Sequence, residues 1–180
     1  MSELKSTYYD DNEILIRSAN KEDMKAVAEM IQELADFEKM PQGPKMSVRD
    51  LEHDGFEVSP PAFQCKIAEL KGAVTQPVIG YALYFPTYST WEGRSMMLED
   101  LYVKNSERRH GVGKRLFNAV AKEASKTGCS RLDFHVLEWN PARSFYESKG
   151  AVNLTASEQW CYYRLTGEAL NNVSNEGGKS

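Results

Sequence analysis

The residues best suited to chemistry in this chain stand together between Leu98 and Ala124, LEDLYVKNSERRHGVGKRLFNAVAKEA. At the centre, Arg108, Arg109, His110, Gly111, Val112, Gly113 and Lys114 combine cations with two glycines. Glycine lets backbone approach a ligand with no Cβ in the way. The helix predicted to follow starts with unpaired N–H groups and the positive end of its dipole. Such a turn holds phosphate. A nucleotide-triphosphate loop is excluded, because its first glycine position holds Arg108 and its hydroxyl position holds Arg115. The dinucleotide fingerprint is excluded too, since Leu116 stands at its third glycine. What remains is Arg-x-x-Gly-x-Gly between a strand and a helix.

Carboxylates and aromatic rings form the second group with chemical potential. Asp36, Glu38, Glu92, Glu99, Asp100 and Glu138 recur through a chain of net charge −4. That balance argues against general affinity for nucleic acid and leaves two meanings, attraction of a cationic amine or a solvated acidic surface. The stretch Tyr84-Phe85-Pro86-Thr87-Tyr88-Ser89-Thr90-Trp91-Glu92-Gly93 reads as an aromatic turn. It is either a hairpin tip whose rings pad the core or a wall of a pocket that holds the stem and ammonium of an amine. Cys65, Cys129 and Cys161 are scattered, and His53, His110 and His135 show no ligand spacing with them, so no metal site and no disulfide framework is expected. No apolar run approaches the ~18 residues that span a bilayer, and the N-terminus lacks a hydrophobic signal core. The expectation is a cytoplasmic protein.

The elements that must position these residues can be read from period and punctuation. At 180 residues the chain fits one domain. Residues 1–12 are expected to be flexible, and Ile14 to Arg17 is a first strand. Asn20 caps a helix whose apolar positions Met24, Val27, Ala28, Ile31, Leu34 and Ala35 share one face. Ser47 with Asp50 predicts a second, short helix ending before Gly55. Strands follow over 63–70 and 78–85, then the central strand, and then a helix over 112–126. Gly128 stops that helix. A strand over 132–137, a helix opened by Pro141 and closed at Gly150, a short strand over 152–155 and a last strand over 160–165 complete the order. Residues 171–180, rich in Asn, Gly and Ser, are expected to be disordered. The fold class is α+β, a mixed, largely antiparallel sheet flanked by helices, with the domain over 13–170.

The loop and element order resemble the GNAT superfamily of acyl-CoA-dependent N-acetyltransferases. Residues 33–40, ELADFEKM, 84–103, YFPTYSTWEGRSMMLEDLYV, and 137–140, LEWN, are similar to the spermidine/spermine N1-acetyltransferase family. The Ser-Thr-Trp-x-Gly-Arg form of the aromatic turn looks more like the branch called thialysine N-epsilon-acetyltransferase. In the polyamine branch an aspartate commonly stands where this chain has Ser89. Its replacement removes a carboxylate suited to a second ammonium.

The resemblance implies acetyl-CoA as co-substrate, with Leu101, Tyr102 and Val103 along the pantetheine and acetyl carbonyl. Arg108 through Lys114, including His110, Gly111, Val112 and Gly113, would surround the pyrophosphate. Asn140 and Arg143 would meet the cofactor from the opposite side. It places Phe37, Glu38, Trp91, Glu99 and Glu158 on the substrate side, with Glu99 taking the ammonium proton and Tyr146 donating to the leaving thiolate. One spacing departs, for Asn140 and Tyr146 stand one residue closer than is usual in the family. The implied activity is direct acetyl transfer to the primary amine of a thialysine-like amino acid, diamine or polyamine, in a homodimer. Alternatives are acetylation of a protein lysine or N-terminus, and an acyl-CoA-binding regulatory module without turnover.

Overall fold

The computed structural model of the chain describes residues 13–73 and 77–176. The N-terminal segment expected to be flexible, 1–12, lies outside the described residues. Within the single domain the chain packs as two compact units, the first through Leu137 and the second from Glu138.

The first unit is built on a five-stranded sheet in the order β1-β2-β3-β4-β5. The strands are β1 (Ile14–Ser18), β2 (Gln64–Leu70), β3 (Val78–Ser89), β4 (Gly93–Val103) and β5 (Arg131–Phe134). The first four pair antiparallel and β5 joins β4 parallel, so the sheet is mixed and largely antiparallel as expected.

Helix α1 (Met24–Phe37) is preceded by the expected cap at Asn20, here a full capping box in which the Asn20 side chain accepts from the Asp23 N–H at 3.1 Å and Asp23 accepts from the Asn20 N–H at 2.7 Å. Its buried Met24, Val27 and Met30 pack with Ile67, Tyr81, Leu83 and Tyr102 of the sheet. Each such side chain contributes roughly 1.5–3 kcal/mol by leaving water. Helix α2 (Val48–Glu52) has its own capping box on Ser47 and Asp50, then loosens into a π-helical turn at His53–Glu57.

Helix α3 (Val112–Lys126) covers the other face. Gly80, next to Tyr81 on β3, points the opposite way from it. A Cβ there would come 2.8 Å from the Tyr102 carbonyl oxygen and 3.2 Å from Leu116 of α3. Gly80 is therefore what lets β4 and α3 close down on β3, beside the strand end that matters for the site.

The chain departs from the sequence expectation in five places. The aromatic stretch is mostly strand, because β3 runs on to Ser89 and the turn is left to Thr90, Trp91 and Glu92. The strand expected over 132–137 stops at Phe134. In the second unit, 152–155 is not a strand, and helix α5 (Leu154–Glu158) follows α4 (Ala142–Glu147). Residues 160–165 join no ladder among the described residues, and Trp160, Tyr162 and Tyr163 are exposed. Alternating aromatics favour a strand only where a partner strand exists to pair with. Finally, α6 (Gly167–Asn175) makes the first half of the expected disordered tail helical, while residues 177–180 lie outside the described residues.

Candidate active site

The end of β4 is shaped by one extra residue. Leu83 pairs with Asp100 and Tyr84 with Leu98, so Glu99 is a β-bulge. Beyond it the ladder continues with Ala82 opposite Leu101, Tyr81 opposite Tyr102 and Gly80 opposite Val103. The Lys104 N–H donates to the Ile79 carbonyl at 2.9 Å, which makes that the hydrogen-bonded pair. In an antiparallel ladder such pairs alternate. Tyr102 therefore directs its backbone groups to β3, and Leu101 and Val103 direct theirs to the opposite edge. On that edge β5 has already ended, its last pairing being Phe134 with Leu98. No described ladder covers the Leu101 and Val103 amides.

The bulge also sorts the two carboxylates. Glu99 is exposed. Asp100 is half-buried and accepts a hydrogen bond from the Tyr81 hydroxyl at 2.9 Å. Burial pushes the Asp100 carboxyl up to about 6; the charges of Glu99 and Glu38 add to the rise, and the bond from Tyr81 opposes it. Glu38, the residue that ends α1, is raised as well, by burial. Glu38, Glu99 and Asp100 thus form an acidic group whose charges act on one another at Asp100. Reading the letters alone singled out Glu99 as the proton acceptor and passed over Asp100. The available signal was the acidic pair itself, since two adjacent acids in a core strand cannot both face water unless the alternation breaks.

The glycine turn follows directly. Arg109 and Gly111 both have positive φ, 70° and 77°. Gly111 is the N-cap of α3, with open space where a Cβ would be. The first N–H closed inside the helix is that of Arg115, on the Gly111 carbonyl at 3.0 Å. Those of Val112, Gly113 and Lys114 come before it, at the positive end of a 15-residue helix. The Val112 side chain is core, so only its backbone is available to a ligand. Arg109 and Lys114 are exposed and His110 is half-buried. A pyrophosphate fits this turn, and a thioester carbonyl fits the open edge of β4.

Other site residues are placed differently from the expectation. The Arg108 guanidinium turns inward, over the rings of Phe37 and Tyr102. Trp91 is 79% exposed at the hairpin tip, while Tyr84 is buried and Phe85 packs against the core. Ser89 is buried and its Oγ accepts from the N–H groups of Trp91 and Glu92, both at 3.2 Å, so it closes the turn.

In the second unit, the Asn140 side chain accepts from the Ala142 N–H at 2.9 Å and so orders the start of α4. Arg143 donates to the Glu138 carbonyl at 3.0 Å. Glu158 accepts from the Trp160 indole at 2.6 Å. Tyr146 is buried, its ring edge-on to that of Phe145 at 5.2 Å, and burial pushes its phenol up to about 12.

Comparison with known proteins agrees with this fold. The model of the acetyltransferase (GNAT) family matches residues 27–151. The chain is 39% identical over 166 residues to a thialysine N-epsilon-acetyltransferase of Bos taurus, across 89% of this chain and 97% of that protein. It is 34% identical over 162 residues to spermidine/spermine N(1)-acetyltransferase-like protein 1 of Homo sapiens, across 86% of this chain and 23% of that protein. Among solved structures, an integron cassette protein from the mobile metagenome of V. cholerae superposes with a TM-score of 0.71 at 25% identity, covering 91% of this chain and 99% of that one. A bulged central strand with an uncovered edge, a glycine turn opening a helix, a family model matched over residues 27–151 and a thialysine N-epsilon-acetyltransferase matched over nearly its full length lead to one conclusion: the chain belongs to the acetyltransferase (GNAT) family.

Proposed function

We propose that this N-acetyltransferase moves acetyl from acetyl-CoA to the primary amine of a small cation, a thialysine-like amino acid or a short diamine, with both reactants bound together. The observation that carries the reading is the bulge at Glu99. It leaves the Leu101 and Val103 amides on an open edge and, one residue earlier, half-buries a carboxylate raised to about 6. One feature serves the thioester and the other the amine.

Acetyl-CoA supplies the activated thioester. The amides of Val112, Gly113 and Lys114, with Arg109, His110 and Gly111, hold the pyrophosphate. The Leu101 and Val103 N–H groups hold the pantetheine and the thioester carbonyl, donating where negative charge grows during attack. Phe37, Glu38 and Glu99 draw in the ammonium, which has no lone pair until it loses a proton. Asp100 accepts that proton, directly or through Glu99, because a carboxyl near 6 is ionised at neutral pH and still basic enough to act. Tyr146 donates to the departing sulfur, and a phenol near 12 keeps its proton for that task. Asn140, Arg143, Trp91 and Glu158 keep the cofactor and acceptor roles that the resemblance implies. Ser89, spent on closing the hairpin, offers no charge to a second ammonium, which favours a short acceptor over spermine. The reading includes a homodimer, which the exposed Trp160, Tyr162 and Tyr163 suit, and a cytoplasmic setting, which three free cysteines suit.

The test is release of coenzyme A from acetyl-CoA across thialysine, lysine, putrescine, spermidine, spermine and a lysine-containing peptide, with a no-acceptor blank for the protein's own thiols. Thialysine or a short diamine is expected to give the highest kcat/KM. Preference for the peptide would move the acceptor to protein. Acetyl-CoA binding without release for any amine would point to a regulatory module.

A further inference from the structure

We infer that Arg108 is a positioning residue that ties the acceptor side of the site to the cofactor side, and that its side chain is not a phosphate ligand. Its Nε donates to the Val103 carbonyl at 2.9 Å. Its guanidinium carbon lies 5.1 Å from the centroid of the Phe37 ring and 5.3 Å from that of Tyr102. The Tyr102 hydroxyl donates to Glu33 Oε2 at 2.9 Å. Glu33 and Phe37 stand one turn apart on α1, so a single face of its last turns meets Tyr102 and Arg108.

These contacts join two parts with separate tasks. The last turn of α1 carries Phe37 and ends on Glu38, the acceptor side under the proposed function on which this inference rests. Val103, whose carbonyl Arg108 engages, belongs to the open edge assigned to the thioester. Arg108 therefore sets how far the end of α1 stands from that edge. The adjacent Arg109, turned by its positive φ, is exposed and is the arginine left for phosphate. Planarity matters here, because a guanidinium can lie over rings and donate from its edge, and an ammonium cannot do both. Without this tie the two halves of the site lose their register, and displacement of about 1 Å costs on the order of 10²-fold in turnover.

Arg108→Lys and Arg109→Gln separate the roles. Acetyl-CoA affinity is read directly by calorimetry at two salt concentrations, and kcat and KM are read with the best amine. Arg108→Lys is expected to raise the acceptor KM and lower kcat, with kcat/KM down about 10- to 100-fold. Its acetyl-CoA Kd and the salt dependence of that Kd stay within about twofold of wild type. Arg109→Gln is expected to weaken acetyl-CoA and flatten its salt dependence while sparing the acceptor KM. Phe37→Leu, which removes a ring and leaves the arginine, should reproduce the Arg108→Lys loss, and the double variant should be no worse than either alone. Arg108→Lys weakening acetyl-CoA as Arg109→Gln does, or losses that multiply in the double variant, would overturn the inference while leaving the proposed function intact. A wild-type protein that acetylates no amine would overturn the function and this inference with it.

Discussion

Replacing Asp100 with asparagine is expected to lower kcat/KM for the amine by about 10²- to 10⁴-fold, the range of a lost general base, and to abolish the acid limb expected of wild type near pH 6. The limb follows from the raised carboxyl: below about 6 Asp100 is protonated and cannot accept the ammonium's proton. The same substitution is expected to stabilise the fold at neutral pH. A carboxyl whose folded pKa lies above its unfolded value contributes stability in the acidic range and loses it as pH rises from about 4 through about 6. Above that window a half-buried charge is a cost, and asparagine removes it while still accepting from Tyr81. The gain is of order 2 kcal/mol, read as a higher urea midpoint at an unchanged slope. Activity and stability thus move in opposite directions at one residue. Loss of both would make Asp100 a structural carboxylate, and an acid limb that survived in the variant would return the proton to Glu99 alone.

Tyr146→Phe is expected to lower kcat by about 10²-fold with acetyl-CoA affinity within twofold of wild type. Burial holds the phenol near 12, so the hydroxyl is present across any ordinary assay range and no basic limb below about pH 11 belongs to it. Phenylalanine keeps the ring beside Phe145 and removes only the donor. Equal loss of turnover and cofactor affinity would indicate that the tyrosine acts through packing.

Much of this arrangement was legible in the letters, for reasons that can be named. Helices α1 and α3 announce themselves by apolar spacing, α1 and α2 by the caps at Asn20 and Ser47, and α3 by glycines at 111 and 128. The glycine turn that opens α3 was legible because its geometry is backbone geometry, which glycine spacing reports. The bulge was not. No glycine or proline marks Glu99, and its position depends on β3 pairing across from it, a contact distant in sequence. The uncovered edge at Leu101 and Val103 depends in turn on β5 stopping at Phe134, three residues earlier than its apolar run suggests. Arg108, Arg109 and Lys114 are equivalent as letters, and only the positive φ at Arg109 and the rings of Phe37 and Tyr102 separate the inward side chain from the outward ones. The aromatic stretch misled because Pro86 and Ser89 read as turn residues. Pro86 nonetheless pairs with Met96 within the ladder, and Thr87 Oγ1 lies 2.8 Å from Ser95 Oγ across it.

The most direct test of acetyl transfer to a small amine follows the acetyl group itself. Acetyl-CoA labelled with ¹³C at its carbonyl is mixed with the protein and thialysine, and the product is read by NMR. The expected result is label bonded to the side-chain nitrogen, at a rate matching coenzyme A release. Label that stays on coenzyme A, is lost to acetate, or appears on the protein in place of the amine would contradict it.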